Sequence, residues 1–352
     1  MTLILKSNVM LRQKKLTDVI NDAVLNLDFR DEVYYRNGGK VGDITTLIST
    51  VSSYGGYYST TGKFIAAPAD TIKIGIDRDS HRKGLITEGG FQNFYPYSNA
   101  PVSHTMTKST ATLKVTRVVA TGSGSVVVRY NGVNLGEARE GIDIQLPLET
   151  VVNGSLELTV KGSLSFLMVV DSEIAKPIYS RILQGIRKPD FSKINPDVVS
   201  ALLPQSEGTV VSRIYMPADV VDPHRGPVTL ALLTIIGAVT TDGYFASKHI
   251  TNTYDSSLYS RKDGVATGLE YNHIGLGSDI IVALSFTKTG KLTLYMNGIL
   301  VGTRTVSPVV VSQIGLGSTN TWNLIGLTIT EEVAIYNRVL SGSEMALISS
   351  LV

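Results

Sequence analysis

The chain has 352 residues, enough for two or three domains that each bury a core of their own. Its formal net charge of +2 gives no broad basic surface, which argues against nucleic-acid binding and against electrostatic attachment to a membrane. The lack of cysteine excludes disulfides and cysteine-based metal sites. Its 33 glycines, together with many Val, Ile, Thr and Ser residues, favour an all-β protein.

The first 30 residues predict an arm of mixed polarity. Met1 to Leu5 is apolar but too short for a signal peptide or a membrane span, so we expect synthesis in a host cytoplasm without export or membrane insertion. A short helix is expected at Thr17 to Leu25. The basic residues Arg12, Lys14 and Lys15 fit an anionic docking patch, but an ordinary solvated face is the commoner interpretation.

Residues 31–105 are rich in Tyr, Gly, Ser and Thr. The segment Lys83 to Ser98 is similar to a Gly-Leu-Leu-Ile-Glu segment that recurs in bacteriophage tail-fibre and other virion proteins, although Gln92 replaces the usual Thr. This resemblance implies a virion protein with an attachment region at residues 1–105. The aromatic residues of the region suit sugar stacking, but a small core or a subunit interface is the interpretation that we favour. They are Tyr54, Tyr57, Tyr58, Phe91, Phe94, Tyr95 and Tyr97.

Residues 106–171 predict a small β-sandwich of five half-buried strands. Apolar and polar residues alternate, as from Leu156 to Val160, and Asn-Gly pairs beginning at Asn131 and Asn153 supply turns. The shape is that of a carbohydrate-binding module, but Tyr130 alone would have to supply its stacking platform. We therefore favour a structural spacer.

Residues 172–208 interrupt the strand pattern and predict a partly helical connector. Asn195, Pro196 and Asp197 supply an N-cap, a first-turn proline and a favourable acid. A short helix is therefore expected at Val198 to Leu203.

The last third of the chain carries the clearest local signals. Apolar and polar residues alternate from Leu292 to Met296, and Asn297-Gly298 then supplies the two residues tolerant of positive φ that a type I′ hairpin turn needs. Ser341 and Glu344 have the spacing of a capping box, which predicts a short helix at the end of the chain.

This combination resembles the laminin-G-like, concanavalin-A-like lectin jelly roll, over residues 209–352. The run Val333 to Glu344 is the most specific part of the resemblance, which implies two packed antiparallel sheets. The motif Ile-Gly-Leu-Gly, beginning at Ile274 and Ile314, lacks the following helix of a dinucleotide loop and predicts bulges or close approach instead. The expected fold class is all-β, with multi-domain antiparallel β-sandwiches divided as 1–105, 106–171, 172–208 and 209–352.

The resemblance implies that any ligand binds at loops on one edge of the sandwich, through Asp, Asn and aromatic residues. Trp322 suits stacking on a sugar ring, but we favour its burial as a plug at one end of the sandwich. Calcium would need several converging oxygen ligands, and the acids are too dispersed to predict it, so we expect no metal and no cofactor. The candidate glycan-binding residues are Asp242, Asn252, Tyr254, Asp255, Tyr259 and Trp322.

Little in the sequence predicts catalysis. The five histidines have no zinc-binding spacing, and neither a nucleophile elbow nor a phosphate loop is present. A glycosidase pair of Asp242 with Asp255 or Glu270 stays open, but no acid lies in a setting that demands such a role. We therefore expect no enzymatic activity.

The two resemblances together imply a bacteriophage virion protein that assembles as a homotrimer. The first hypothesis is a tail-fibre or receptor-binding subunit, with other virion proteins as partners of its N-terminal part and a host-surface glycan as ligand of its C-terminal domain. A second is a capsid decoration or collar protein with a purely structural jelly roll. A third is a polysaccharide-cleaving tailspike.

Overall fold

The computed structural model describes residues 13–53, 55–77, 80–109, 115–147, 153–172, 183–216, 228–250, 256–263, 265–275, 278–317 and 328–351. These residues form many short strands, two α-helices and two short 3-10 helices at Leu16–Asp18 and Ile44–Thr46, so the all-β prediction is confirmed. The α-helices are α1 (Pro196–Leu202) and α2 (Gly342–Ser349). The strands in chain order are β1 (Leu25–Asp28), β2 (Val33–Arg36), β3 (Gly39–Val41), β4 (Ile48–Val51), β5 (Gly55–Tyr58), β6 (Phe64–Ala67), β7 (Ile74–Ile76), β8 (Lys83–Thr87), β9 (Phe91–Asn93), β10 (His104–Lys108), β11 (Val115–Gly122), β12 (Ser125–Tyr130), β13 (Val133–Arg139), β14 (Ile144–Gln145), β15 (Gly154–Lys161), β16 (Leu164–Ser172), β17 (Gly185–Arg187), β18 (Phe191–Ile194), β19 (Gly208–Tyr215), β20 (Val228–Gly237), β21 (Gly243–Ile250), β22 (Ser256–Lys262), β23 (Val265–Asn272), β24 (Asp279–Phe286), β25 (Lys291–Met296), β26 (Ile299–Thr305), β27 (Val311–Leu316) and β28 (Thr328–Tyr336).

Two antiparallel sheets pack face to face in a large β-sandwich. One has 12 strands, in the order β26-β25-β24-β19-β28-β8-β7-β5-β6, with β1, β2 and β3 attached beside β28. The other is 7-stranded, in the order β23-β22-β21-β20-β27-β18-β4. Alternate side chains point to opposite faces of a strand, so Leu284 and Leu294 of the first sheet meet Ile235, Tyr244 and Ile314 of the second in one core.

The strand β28 lies inside the twelve-stranded sheet, and every one of its residues is buried. On one side it pairs with β19. On the other side, its beginning pairs with β8, where Thr328 faces Thr87, and its end pairs with β1, where Ile335 faces Leu25. One strand therefore joins three segments that are far apart in the sequence.

The large sandwich includes strands from outside residues 209–352, the range in which the sequence predicts the lectin-like sandwich. Strands from the region 1–105 pair into both of its sheets, since β1 and β8 pair with β28, and β4 pairs with β18. From the expected connector, 172–208, β18 pairs with β27 and α1 buries Val198 and Leu202 in the large core. Long-range strand pairing, which local composition does not reveal, decides which sheet a segment joins. The virion-attachment role of 1–105 stays a prediction.

A smaller sandwich is inserted into the large one between β8 and β18. Its sheets are 4-stranded, in the order β10-β15-β12-β13, and 5-stranded, in the order β14-β11-β16-β9-β17. Its separate core includes Val126, Leu156 and Val169. Tyr130 is buried in that core and donates a hydrogen bond to the Lys108 carbonyl at 2.9 Å, so its ring has a structural role.

The local signals near the end of the chain are confirmed. Asn297 and Gly298 adopt φ of 47° and 81°, as the hairpin turn between β25 and β26 requires. The Ser341 hydroxyl accepts the Glu344 N–H, and the Glu344 carboxylate accepts the Ser341 N–H at 2.7 Å. This capping box begins α2 at the predicted place.

Two helix predictions differ from the structure in detail. The expected helix at Thr17 to Leu25 is a single 3-10 turn, Leu16–Asp18, because its apolar residues lie against a sheet instead of forming one helical face. The helix α1 begins after Asn195, as predicted, but the Asn195 side chain donates to the Thr45 carbonyl at 3.1 Å and makes no capping bond.

Residues 13–23, which we call the arm, cover the outer face of the twelve-stranded sheet together with α2. Leu16 and Ile20 of the arm pack with buried residues of β28 and α2 in an apolar cluster of their own. Lys15 pairs with Asp28 at 2.7 Å and with Asp31 at 2.9 Å. This basic residue is therefore engaged within the chain, and Arg12 lies outside the described residues.

A buried carboxylate lies under the arm. Glu332 accepts hydrogen bonds from the Leu16 N–H at 2.9 Å and from Arg30 Nη2 at 3.2 Å. Arg213, which faces Glu332 on β19, donates instead to Gln13 Oε1 of the arm at 3.0 Å. Burial raises the pKa of Glu332 to about 7, against the attraction of Arg30 and Arg213.

Four buried charged side chains, which we call the ion cluster, meet where the chain crosses between the sandwiches. Lys73 Nζ lies 3.0 Å from Asp190 Oδ2. Arg187 Nη2 lies 2.5 Å from Asp190 Oδ1 and 3.5 Å from Glu88 Oε2. Each side chain is at most 4% exposed. Because Glu88 and Asp190 belong to the two crossing segments, the cluster ties these segments together.

Replacement of Asp190 by Asn should lower the free energy of unfolding by about 3–5 kcal/mol, because Lys73 and Arg187 would stay buried without their shared carboxylate. Urea unfolding followed by circular dichroism measures the change. The control Glu137→Gln removes an exposed ion pair with Lys161 and should leave the midpoint unchanged. A wild-type midpoint for Asp190→Asn would contradict a stabilising role for the cluster.

Glu332 should make the protein less stable as the pH rises from about 4.5 to about 7. In this window the unfolded chain releases the proton while the native state still holds it, so the free energy of unfolding falls, by at most about 3 kcal/mol in total. Glu332→Gln cannot titrate and should show a flatter curve. The measurement is urea unfolding at several pH values between 4.5 and 8.

Glu344→Gln is the matched control for this pH series. Hydrogen bonds from Arg338 and Ser341 lower the pKa of Glu344 to about 2, so the stability that this carboxylate contributes is lost only as the pH falls below about 4.5. Its curve should run parallel to that of the wild type between pH 4.5 and 7. If the Glu332→Gln curve also ran parallel, the raised pKa would be wrong.

Candidate functional site

Two aromatic rings stack on the outer face of the seven-stranded sheet. Phe245 on β21 faces Tyr259 on β22, with ring centroids 4.4 Å apart and ring planes inclined by 8°. Their strand neighbours Tyr244, Ala246 and Leu258 point into the large core, so the pleat places the stacked pair outside. Phe245 is buried and Tyr259 is partly exposed. Tyr259, a predicted ligand residue, thus lies on an accessible face.

The stacked pair continues a row of residues across the same face. Gly315 faces Thr234, which in turn faces Phe245. A Cβ at Gly315 would lie 2.8 Å from the ring of Phe191, so a side chain here would displace that ring. The glycine of the second Ile-Gly-Leu-Gly motif therefore permits a close approach, as its position in a sandwich predicts.

Asp242, another predicted ligand residue, is engaged within the fold. It lies in the turn between β20 and β21, is 2% exposed, pairs with Lys262 and accepts the Asp263 N–H at 2.7 Å. The hydrogen bond from Lys262, opposed by burial, lowers the pKa of Asp242. Asp242 therefore links its own turn to the turn after β22, and a ligand would have to displace Lys262 to reach it.

The other predicted site residues lie outside the described residues: Asn252, Tyr254, Asp255 and Trp322. The same holds for the side chain of Glu270, so neither acid pair with Asp242 is described. The choice between a stacking Trp322 and a plug likewise falls outside the described ranges. Within them, Asp242 and Tyr259 are placed on adjacent hairpins of one sheet.

A cleft that the sequence did not predict lies at the opposite edge of the seven-stranded sheet. Its volume is about 630 Å³, and its walls are the edge strand β4, the ring of Tyr57 on β5 and the segment before β7. Glu32, Asp70 and Thr71 supply polar groups. Glu32 and Asp70 adopt φ of 54° and 59°, a region that few non-glycine residues occupy. The sequence marks Tyr57 only as one aromatic among several, and the assembly of the cleft from separate segments has no local signal.

Among the residues that the structure describes, no group of three His, Asp or Glu side chains is placed to hold a metal ion. In the same ranges, no helix has the length and apolar character needed to cross a membrane.

Asp242→Ala and Lys262→Ala should each lower the melting temperature by a few degrees, because each leaves one partner of the turn-to-turn contact behind. The double variant should lose less than the sum of the single losses, since both substitutions remove the same interaction. Thermal unfolding of the four proteins by circular dichroism checks this. Additive losses would mean that the two residues act independently.

Comparisons with known proteins find only solved structures that resemble part of the chain. No protein-family model and no curated protein sequence matches the chain. The Ruminococcus gnavus IT-sialidase CBM40 bound to alpha2,3 sialyllactose is 20% identical with a TM-score of 0.30, over 41% of this chain and 82% of its own. The NanB sialidase from Streptococcus pneumoniae is 18% identical with a TM-score of 0.31, over 44% of this chain and 26% of its own. A heptameric SAP-like pentraxin from Limulus polyphemus is 15% identical with a TM-score of 0.30, over 41% and 70%.

Proposed function

We propose that the chain is a structural protein of a bacteriophage virion, namely a tail-fibre or receptor-binding subunit without enzymatic activity. In this function it lies in the virion, assembles as a homotrimer, attaches to other virion proteins through its N-terminal part and contacts a host-surface glycan through the large sandwich. The similarity of Lys83 to Ser98 to virion proteins supports the location, and the lectin-like resemblance of residues 209–352 supports the ligand.

The stacked pair of Phe245 and Tyr259 is the observation that carries the glycan contact. Phe245 covers one face of the partly exposed Tyr259 ring, whose other face offers a platform for the C–H groups of a sugar ring, and the phenol adds a hydrogen-bonding group at its edge. Stacking on Phe245 holds the Tyr259 ring in place before a ligand arrives, which reduces the ordering cost of binding. Ser247 and Ser257 beside the pair share a hydrogen bond at 2.6 Å and are fully buried, so the contact with a ligand falls to the Tyr259 ring.

A capsid decoration or collar protein is the second candidate function. One observation favours it: Asp242 is already paired with Lys262 and bonded to the Asp263 N–H, so this expected ligand residue is occupied within the chain. In that function the stacked pair packs against another virion protein instead of a sugar.

Tyr259→Ala should weaken glycan binding at least about tenfold, or about 1.4 kcal/mol, because it removes the exposed ring of the stacked pair. The measurement is a glycan array probed with the purified full chain, followed by titration of the glycans that bind. Tyr35→Ala removes a tyrosine that is 39% exposed on β2 and should bind like the wild type.

Two outcomes would contradict the glycan-binding function. One is a wild-type chain that binds no glycan on the array, and the other is a Tyr259→Ala variant that binds as tightly as the wild type. The first result would favour the purely structural candidate, and the second would contradict the stacked pair as the glycan platform.

A further inference from the structure

The cleft beside β4 is lined by both apolar and acidic side chains, unlike the stacked pair, which is aromatic. One wall is apolar, formed by the partly exposed ring of Tyr57 with Ile72 and Ile74. Polar groups in the lining are the hydroxyl of Thr71 and the carboxylate of Asp70. Among the described residues that line the cleft, none is a lysine or an arginine. These walls suit a ligand that combines an apolar face with hydrogen-bond donors, and the carboxylate of Asp70 disfavours a negatively charged one.

The polar groups of the cleft are held in place by contacts behind them. Asp70 Oδ1 accepts the Ser52 N–H at 2.9 Å, and the Asp70 N–H donates to the Ser52 hydroxyl at 3.0 Å. Glu32 Oε1 lies 2.5 Å from Lys83 Nζ. Since both acids also adopt positive φ, the surrounding contacts determine a backbone conformation that is costly on its own.

The Tyr57 ring is fixed from the other side. A Cβ at Gly75 would lie 2.7 Å from the Tyr57 ring, so only glycine at this position leaves room for the ring against β7. A ring that is already fixed loses little freedom when a ligand stacks on it. The Tyr57 ring of the apolar wall is therefore packed directly against β7.

We propose that this cleft is a binding site for a neutral saccharide. Its volume of about 630 Å³ falls within the range of roughly 300–1,000 Å³ that is typical of small-molecule sites. A sugar ring stacks its C–H face on Tyr57, and its hydroxyl groups donate to the carboxylates of Asp70 and Glu32 in charge-assisted hydrogen bonds. A sialic or uronic acid would bring a carboxylate next to Asp70, and the two negative charges would repel.

The cleft is separate from the site of the proposed function. Tyr259 lies on β22 and the cleft begins at β4, five strands along the same sheet. At about 4.8 Å per strand, the two sites are roughly 24 Å apart. Each can be removed by a substitution that leaves the other untouched.

The test is titration of the full chain with defined sugars, observed by saturation-transfer NMR and calorimetry. The neutral probes are galactose, glucose, mannose and N-acetylglucosamine with their short oligomers, and the acidic probes are N-acetylneuraminic and glucuronic acid. At least one neutral sugar should bind, and the acidic sugars should bind at least about tenfold more weakly. Neutral sugars that all fail to bind, or acidic sugars that bind as tightly, would overturn the proposal.

The variants locate the binding in the cleft. Tyr57→Ala and Asp70→Asn should each weaken the neutral sugar at least about tenfold, while Tyr259→Ala should change its binding less than twofold. Asn at position 70 keeps an oxygen for the Ser52 N–H and tolerates positive φ, so Asp70→Asn preserves the fold if Tyr57→Ala does not. Circular dichroism checks each variant.

The pattern of losses separates this site from the proposed one. Binding lost in Tyr259→Ala but retained in Tyr57→Ala and Asp70→Asn would overturn the cleft proposal and leave the proposed function intact. The reverse pattern would support the cleft and contradict the stacked pair as a glycan platform.

Discussion

The ion cluster at the crossings between the two sandwiches is the interaction on which the arrangement of the molecule depends. Charges removed from water are tolerated only when each meets a partner, and here the partners come from both crossing segments and from Lys73. The crossings approach so closely that a Cβ at Gly90 would lie 2.9 Å from the Arg187 carbonyl oxygen. We infer that the cluster selects one arrangement of the crossing segments, since any shift would separate a buried charge from its partner.

The two outer faces of the large sandwich have different uses. The arm and α2 cover the outer face of the twelve-stranded sheet at strands β19, β24, β25 and β28 with apolar residues such as Leu16 and Met345, so this part of the face makes contacts within the chain. The seven-stranded sheet carries the stacked pair with Tyr259 near one edge and the cleft at the other. Both proposed ligand contacts therefore involve the sheet whose outer face the arm does not cover.

Local signals in the sequence were sufficient wherever neighbouring residues determine the structure. The Asn297-Gly298 turn and the capping box of Ser341 depend on nearby backbone geometry, and both form as predicted. The pairing of β1 with β28 joins residues about 300 positions apart, which no local pattern encodes, so the division at residue 105 could not reveal it. The same limit applies to the sites. A loop position predicts Asp242 as a ligand residue, but its partner Lys262 lies on another hairpin. The cleft is lined by four separate segments of the chain.

The place of β28 in its sheet affects how the chain can fold during synthesis. The pairing partners of β28 are synthesised long before it, at residues 25–28, 83–87 and 209–215. They cannot pair with β28 until residues 328–336 leave the ribosome. Contacts at such separations form slowly, and unpaired strand edges attract other chains in the meantime. The small sandwich, complete by residue 187, can close while translation continues. In the nascent chain the small sandwich is therefore folded, while the strands on either side of it in the sequence keep unpaired edges. We expect chaperones to be needed most at this stage.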